Sequence, residues 1–175
     1  MLFRDFLDYA RLFHQAAIDN VGLPHTAMRH SSASILFAWI AVEALINDMM
    51  ADFASLPEDT FSIHERAFLT EQAVEFMRKG NKLGLFVVTE RSEYKRLEDK
   101  IMFLLARFGG GTVLDKGSSL WQKFERAKNR RNSIAHPRKD AALDVTPDDA
   151  SDAIEVAEAI IQVVAMGVWG KKVDV

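Results

Sequence analysis

Apolar residues along this chain recur at helical spacing, and convincing two-residue alternation is absent. Leu2, Phe3, Phe6, Leu7, Ala10, Phe13 and Ala17 fall three and four apart, which predicts an amphipathic first helix that ends at Gly22-Leu23-Pro24. A second helix is expected from about Thr26 to Phe53, nearly all apolar between Ala33 and Ile46 and therefore central in a bundle. After a loop at Leu56-Pro57-Glu58-Asp59, Ser62 and Glu65 form a capping-box signature for a third helix, which Gly80 stops near Lys79. Asn81 to Thr89 reads two ways, because Leu85-Phe86-Val87-Val88 suits a short strand but shows no partner.

The helical pattern resumes from Ser92 to Phe108 through Tyr94, Leu97, Ile101, Leu104 and Leu105. The glycines between Gly109 and Gly117 make a loop without the Gly-Lys-hydroxyl ending of a phosphate cradle. Ser119 with Gln122 predicts the start of a helix that runs to Ala135, where His136-Pro137 ends it. Thr146, Pro147 and Asp149 open a last helix that buries Ile154, Ala157, Ile161, Val164 and Val168. With no internal repeat and no long linker, residues 1–175 read as one all-α domain, an up-and-down bundle of five or six helices.

Composition narrows the chemistry. The chain has 175 residues and no cysteine, which excludes a disulfide scaffold, a thiolate zinc site and a cysteine nucleophile. The apolar stretch from Ile35 to Ile46 is shorter than the roughly 20 residues of a membrane span and carries Glu43. A cytoplasmic protein without membrane contact is expected. His14, His25, His30 and His64 make no His-x-x-x-His or His-Glu-x-x-His pair, so a metal hydrolase has no support in the pattern.

The net charge of −3 conceals a local excess. Residues 121 to 139 hold seven Lys/Arg against the single acid Glu125, a net +6 that leaves −9 for the remainder. Lys and Arg supply the sequence-independent part of nucleic-acid affinity. For Lys128 and Arg130 the plainer alternative is a solvated helix end whose cations meet the helix dipole. Arg131 differs, since it sits on the apolar line Leu120, Phe124, Ala127, Ile134, where an unpaired guanidinium costs several kcal/mol. Glu43, the one charge inside the apolar second helix, is its expected partner; a purely structural ion pair is the alternative to a chemical role. His136 is either a capping residue or a proton-transfer group, and Asn132, four residues earlier, is placed to orient it.

Arg131-Asn132-Ser133-Ile134-Ala135-His136-Pro137 resembles the Arg-x4–6-His motif of the HEPN superfamily (higher eukaryotes and prokaryotes nucleotide-binding). The run from Ile35 to Ile46 with its embedded Glu43 is similar to the early core helix of that family. Thr146-Pro147-Asp148-Asp149 and the helix after it are similar to the segment that follows the motif. Residues 55 to 118 fall outside the resemblance. The resemblance implies a HEPN-like four-helix core and a metal-independent endoribonuclease that works as a two-fold homodimer without a cofactor, as a bacterial toxin or defence effector. It assigns catalysis to Arg131 and His136; the spacing and charge of the residues themselves add support from Asn132 and Glu43 and RNA phosphate contacts from Lys128, Arg130 and Arg138. Its alternative is a non-catalytic HEPN dimer that binds RNA, a nucleotide, or a protein partner such as a nucleotidyltransferase or antitoxin.

Overall fold

The computed structural model describes residues 2–137 and 143–175. Among them are six α-helices, one short 3-10 turn and a two-stranded antiparallel sheet: α1 (Leu2–Asp19), α2 (Pro24–Ala54), α3 (Ile63–Leu69), β1 (Gln72–Phe76), β2 (Phe86–Ser92), α4 (Leu97–Phe108), α5 (Ser119–Ala135) and α6 (Pro147–Trp169). Two compact units divide the chain. The first comprises residues 1–45 and 104–175, the second residues 46–103.

In the first unit, α6 packs on α1 and α5 and contributes Ile154, Ala157, Ile160, Ile161 and Val164 to the core. Phe3, Leu7 and Ala10 of α1 are fully buried, as the three-and-four spacing predicts. The α2 residues Ile35, Ala38, Ala41, Val42 and Leu45 are buried too, and Ser34 satisfies its hydroxyl on the Ala10 carbonyl at 2.7 Å. By length and hydropathy α2 is able to cross a membrane, yet 56% of its apolar window is buried inside the chain, and a core helix passes the same test. Both ends of α6 are chemically fixed. Thr146 and Asp149 make a reciprocal capping box with Pro147 in the first turn, and Gly170 closes the helix at φ 66°.

The second unit departs from the sequence expectation. The capping box at Ser62 and Glu65 is present, but α3 ends at Leu69 and does not continue to Lys79. Glu71 turns the chain by adopting φ 50°, a left-handed conformation unusual for a non-glycine residue. Its carbonyl accepts the Glu93 N–H at 2.7 Å, and its carboxylate accepts the Lys95 N–H at 3.0 Å. Residues 72–76 then pair with 86–92, with Val74 opposite Val88 and Phe76 opposite Phe86. The apolar run at 85–88 thus has a strand partner that local periodicity assigned to a helix. Because β2 extends to Ser92, α4 begins at Leu97, and Tyr94 is exposed. Lys100 is buried in this unit, its ammonium 2.9 Å from Glu71 and 3.0 Å from the Asn47 amide oxygen.

Candidate functional site

The basic helix α5 starts one residue earlier in its capping than the Ser119 expectation: Ser118 Oγ accepts the Trp121 N–H at 3.1 Å. Trp121 and Phe124 are buried, which fixes the rotation of the helix and turns Arg131 toward α2. There Arg131 Nη2 lies 3.6 Å from Glu43 Oε1, an ion pair longer than a hydrogen bond. The same carboxylate oxygen accepts the Trp39 indole N–H at 2.9 Å. The guanidinium sits 6.0 Å from the Trp39 ring centroid, and that ring stacks on Phe124 at 5.1 Å.

Arg131 and Glu43 therefore meet as the apolar pattern predicts, though half-buried and not sealed, with side chains 27% and 31% exposed. The remaining exposure leaves the guanidinium reachable by an anion. Asn132 Oδ1 accepts from Arg131 Nη1 at 3.2 Å. The Asn132 side chain thus turns to the arginine, and its backbone carbonyl accepts the His136 N–H at 2.9 Å. His136 is the exposed C-cap of α5, at φ −133° and ψ 66°. Pro137 accounts for this departure from helical backbone, because its ring disfavours helical geometry in the residue before it.

The three expected phosphate contacts fare differently. Arg130 is committed to α6: its Nη2 is 2.7 Å from Asp149 Oδ1, and its Nη1 donates to the Asp144 carbonyl at 2.8 Å. Burial alone would raise the Asp149 carboxyl, but the Thr146 N–H and hydroxyl and the Arg130 guanidinium outweigh it and hold the group below its usual range. Lys128 pairs with Glu125 one turn back at 2.7 Å. Arg138 lies outside the described residues. A cleft of about 420 Å³ opens between α5 and α6, with Lys123, Arg126 and Asn129 on one wall and Asp149 and Asp152 on the other. No group of three or more His, Cys, Asp or Glu side chains gathers for a metal among the described residues.

Two participants escaped sequence reasoning. Trp39 reads as a core aromatic, and its only signal is the four-residue spacing that lets its N–H reach Glu43 on the next turn. Asp149 reads as a helix-capping acid, and its second bond, to Arg130, joins residues that no local pattern relates. Compared with protein-family models, curated proteins and solved structures, the chain matches none of them.

Proposed function

We propose that this chain is a metal-independent endoribonuclease of the HEPN type, which cuts RNA at a site completed by a second copy of itself, as a bacterial toxin or defence effector. The observation that carries the reading is the last turn of α5. There Arg131, 27% exposed and steadied by Glu43 and Trp39, shares the helix end with the exposed His136, whose backbone N–H closes on the Asn132 carbonyl while the Asn132 side chain turns to the arginine.

RNA carries its own nucleophile, so the protein need supply only proton transfer and charge stabilisation. The 2′-hydroxyl attacks the adjacent phosphorus and gives its proton to a base; the P–O5′ bond breaks, and an acid protonates the departing 5′ oxygen. The products are a 2′,3′-cyclic phosphate and a 5′-hydroxyl. Imidazole serves either proton role near neutral pH, and a guanidinium grips two phosphate oxygens while charge builds on them. Two proton-transfer jobs and one motif histidine per chain call for a two-fold dimer that brings both motifs to one cleft.

The second reading is a non-catalytic dimer that binds RNA, a nucleotide or a protein partner such as an antitoxin or nucleotidyltransferase, and the pairing of Arg130 with Asp149 and of Lys128 with Glu125 favours its protein-partner form. Cations already held by carboxylates offer less to a phosphate chain. Incubating the wild type, His136→Ala and Arg131→Ala with total RNA and tRNA in excess EDTA separates the two. Cleavage by the wild type alone supports the nuclease. Full activity in either variant, or activity that EDTA abolishes, overturns the assignment, and a folded but inactive wild type leaves the binding reading.

A further inference from the structure

The geometry points to a membrane-contact tip on the hairpin of the second unit, a convex wedge that seats on a bilayer surface containing anionic lipid. Residues 78–86 are exposed without interruption. Within and beside them four large apolar side chains face water: Phe76 at 50% exposure, Leu83 at 65%, Leu85 at 57% and Phe86 at 54%. Exposed apolar clusters of this kind mark surfaces that something else covers. The tip is a built structure. Met77 N–H donates to the Leu85 carbonyl at 2.9 Å, Gly84 N–H to the Met77 carbonyl at 2.8 Å, and Gly80 and Gly84 supply φ of 86° and 82° that other residues resist.

Charge identifies the occupant. From Phe76 to Thr89 the chain has no acidic residue and three cations, Arg78, Lys79 and Lys82, in a protein whose net charge is −3. Apolar side chains flanked by Lys and Arg are what an anionic bilayer surface recognises: the hydrocarbon enters the headgroup boundary and the cations meet lipid phosphates and carboxylates. Single-stranded RNA fits the tip less well. Its most exposed apolar residues, Leu83 and Leu85, have no π face for a base, and the Phe76 and Phe86 rings engage each other at 5.3 Å with planes tilted by 59°. This contact differs from the expectation of no membrane contact, which follows from the shortness of the Ile35–Ile46 stretch, because a peripheral wedge needs no spanning segment. It stands independently of the ribonuclease reading.

Flotation of the full chain with phosphatidylcholine vesicles, with and without roughly 30% phosphatidylserine at about 0.15 M salt, tests it. The wild type is expected to float only with the acidic vesicles and to be released by about 1 M salt. Leu83→Asp/Leu85→Asp and Arg78→Glu/Lys79→Glu/Lys82→Glu are each expected to weaken flotation at least tenfold while keeping the helical circular dichroism of the parent. A Phe86→Trp reporter is expected to show blue-shifted emission on the acidic vesicles. Failure to float, or unchanged flotation of both variants, overturns the proposal. So does an absence of vesicle binding in which the cation variant loses affinity for a single-stranded oligoribonucleotide, or the leucine variant loses self-association.

Discussion

Glu43 Oε1 stands 3.6 Å from Arg131 Nη2 and 2.9 Å from Trp39 Nε1, so one carboxylate oxygen pairs with the guanidinium and also holds the ring that faces it. Glu43→Gln keeps an acceptor for the indole and removes the charge. Since both partners are about 30% exposed, the ion pair itself is worth little to folding. The variant is expected to lose no more than about 1 kcal/mol in a urea titration. RNA cleavage, if the proposed function holds, is expected to fall on the order of 10–100-fold, because the guanidinium is no longer fixed against the phosphate. A large stability loss with cleavage intact would make the pair structural.

How far such a contact was legible depends on how local its causes are. The ends of α5 and α6 follow from Pro137 and from the Thr146–Asp149 box, each a signal spread over a few residues. Glu43 and Arg131 could be matched across the chain because each is the charge that interrupts an apolar stripe, and burial demands a counter-ion. The β1–β2 pairing had no such signature. Residues 72–76 sit on a chain segment that continues a helical pattern, and only the turn at Glu71, held by Lys95, Lys100 and Glu93 far along the sequence, stops it. Tertiary hydrogen bonds overrode local propensity there.

The same Glu71 makes the second unit acid-sensitive. Burial by itself would raise its carboxyl, but the Lys95 backbone N–H and the Lys100 ammonium outweigh burial and hold it below its ordinary 4.5. A carboxyl lowered in the folded state adds stability that is complete above the ordinary value and is lost as pH falls through the folded one. Unfolding followed by a probe in residues 46–103 is therefore expected to show stability dropping below about pH 4.5, with a smaller drop in Glu71→Gln. At pH 7 that substitution leaves the buried Lys100 without its counter-ion. The expected cost is about 1–2 kcal/mol once solvent screening of the 37%-exposed carboxylate is counted. Glu71→Gln/Lys100→Met is expected to recover part of it; an additive double variant would contradict the coupling.

Asp149 joins two tasks, capping α6 and holding Arg130. Thr146→Ala removes the hydroxyl of the cap alone and is expected to cost about 1 kcal/mol. Asp149→Ala removes the reciprocal cap and the Arg130 partner together, so it is expected to cost more. It also frees the Arg130 guanidinium beside the α5–α6 cleft, and affinity for a single-stranded oligoribonucleotide is expected to rise as stability falls. Parallel losses of stability and binding would show that Arg130 contributes nothing to an anion surface.

Gly167 tests packing in the first unit. It lies inside α6, where alanine is favoured over glycine by about 1 kcal/mol on helix propensity. A Cβ built there, however, would stand 2.9 Å from Leu105 Cδ2 and 3.1 Å from Thr112 Cβ. Leu105 is 3% exposed, so its methyl has little room to withdraw. Overpacking of this kind costs about 1–3 kcal/mol, enough to cancel or exceed the propensity gain. Gly167→Ala is thus expected to lower the thermal midpoint, and Gly167→Ala/Leu105→Ala to destabilise less than the sum of the two single variants, because Leu105→Ala removes the methyl that the new Cβ meets and that Cβ fills part of the space the leucine leaves. A Gly167→Ala protein more stable than its parent would mean that α6 approaches Leu105 less closely than these distances require.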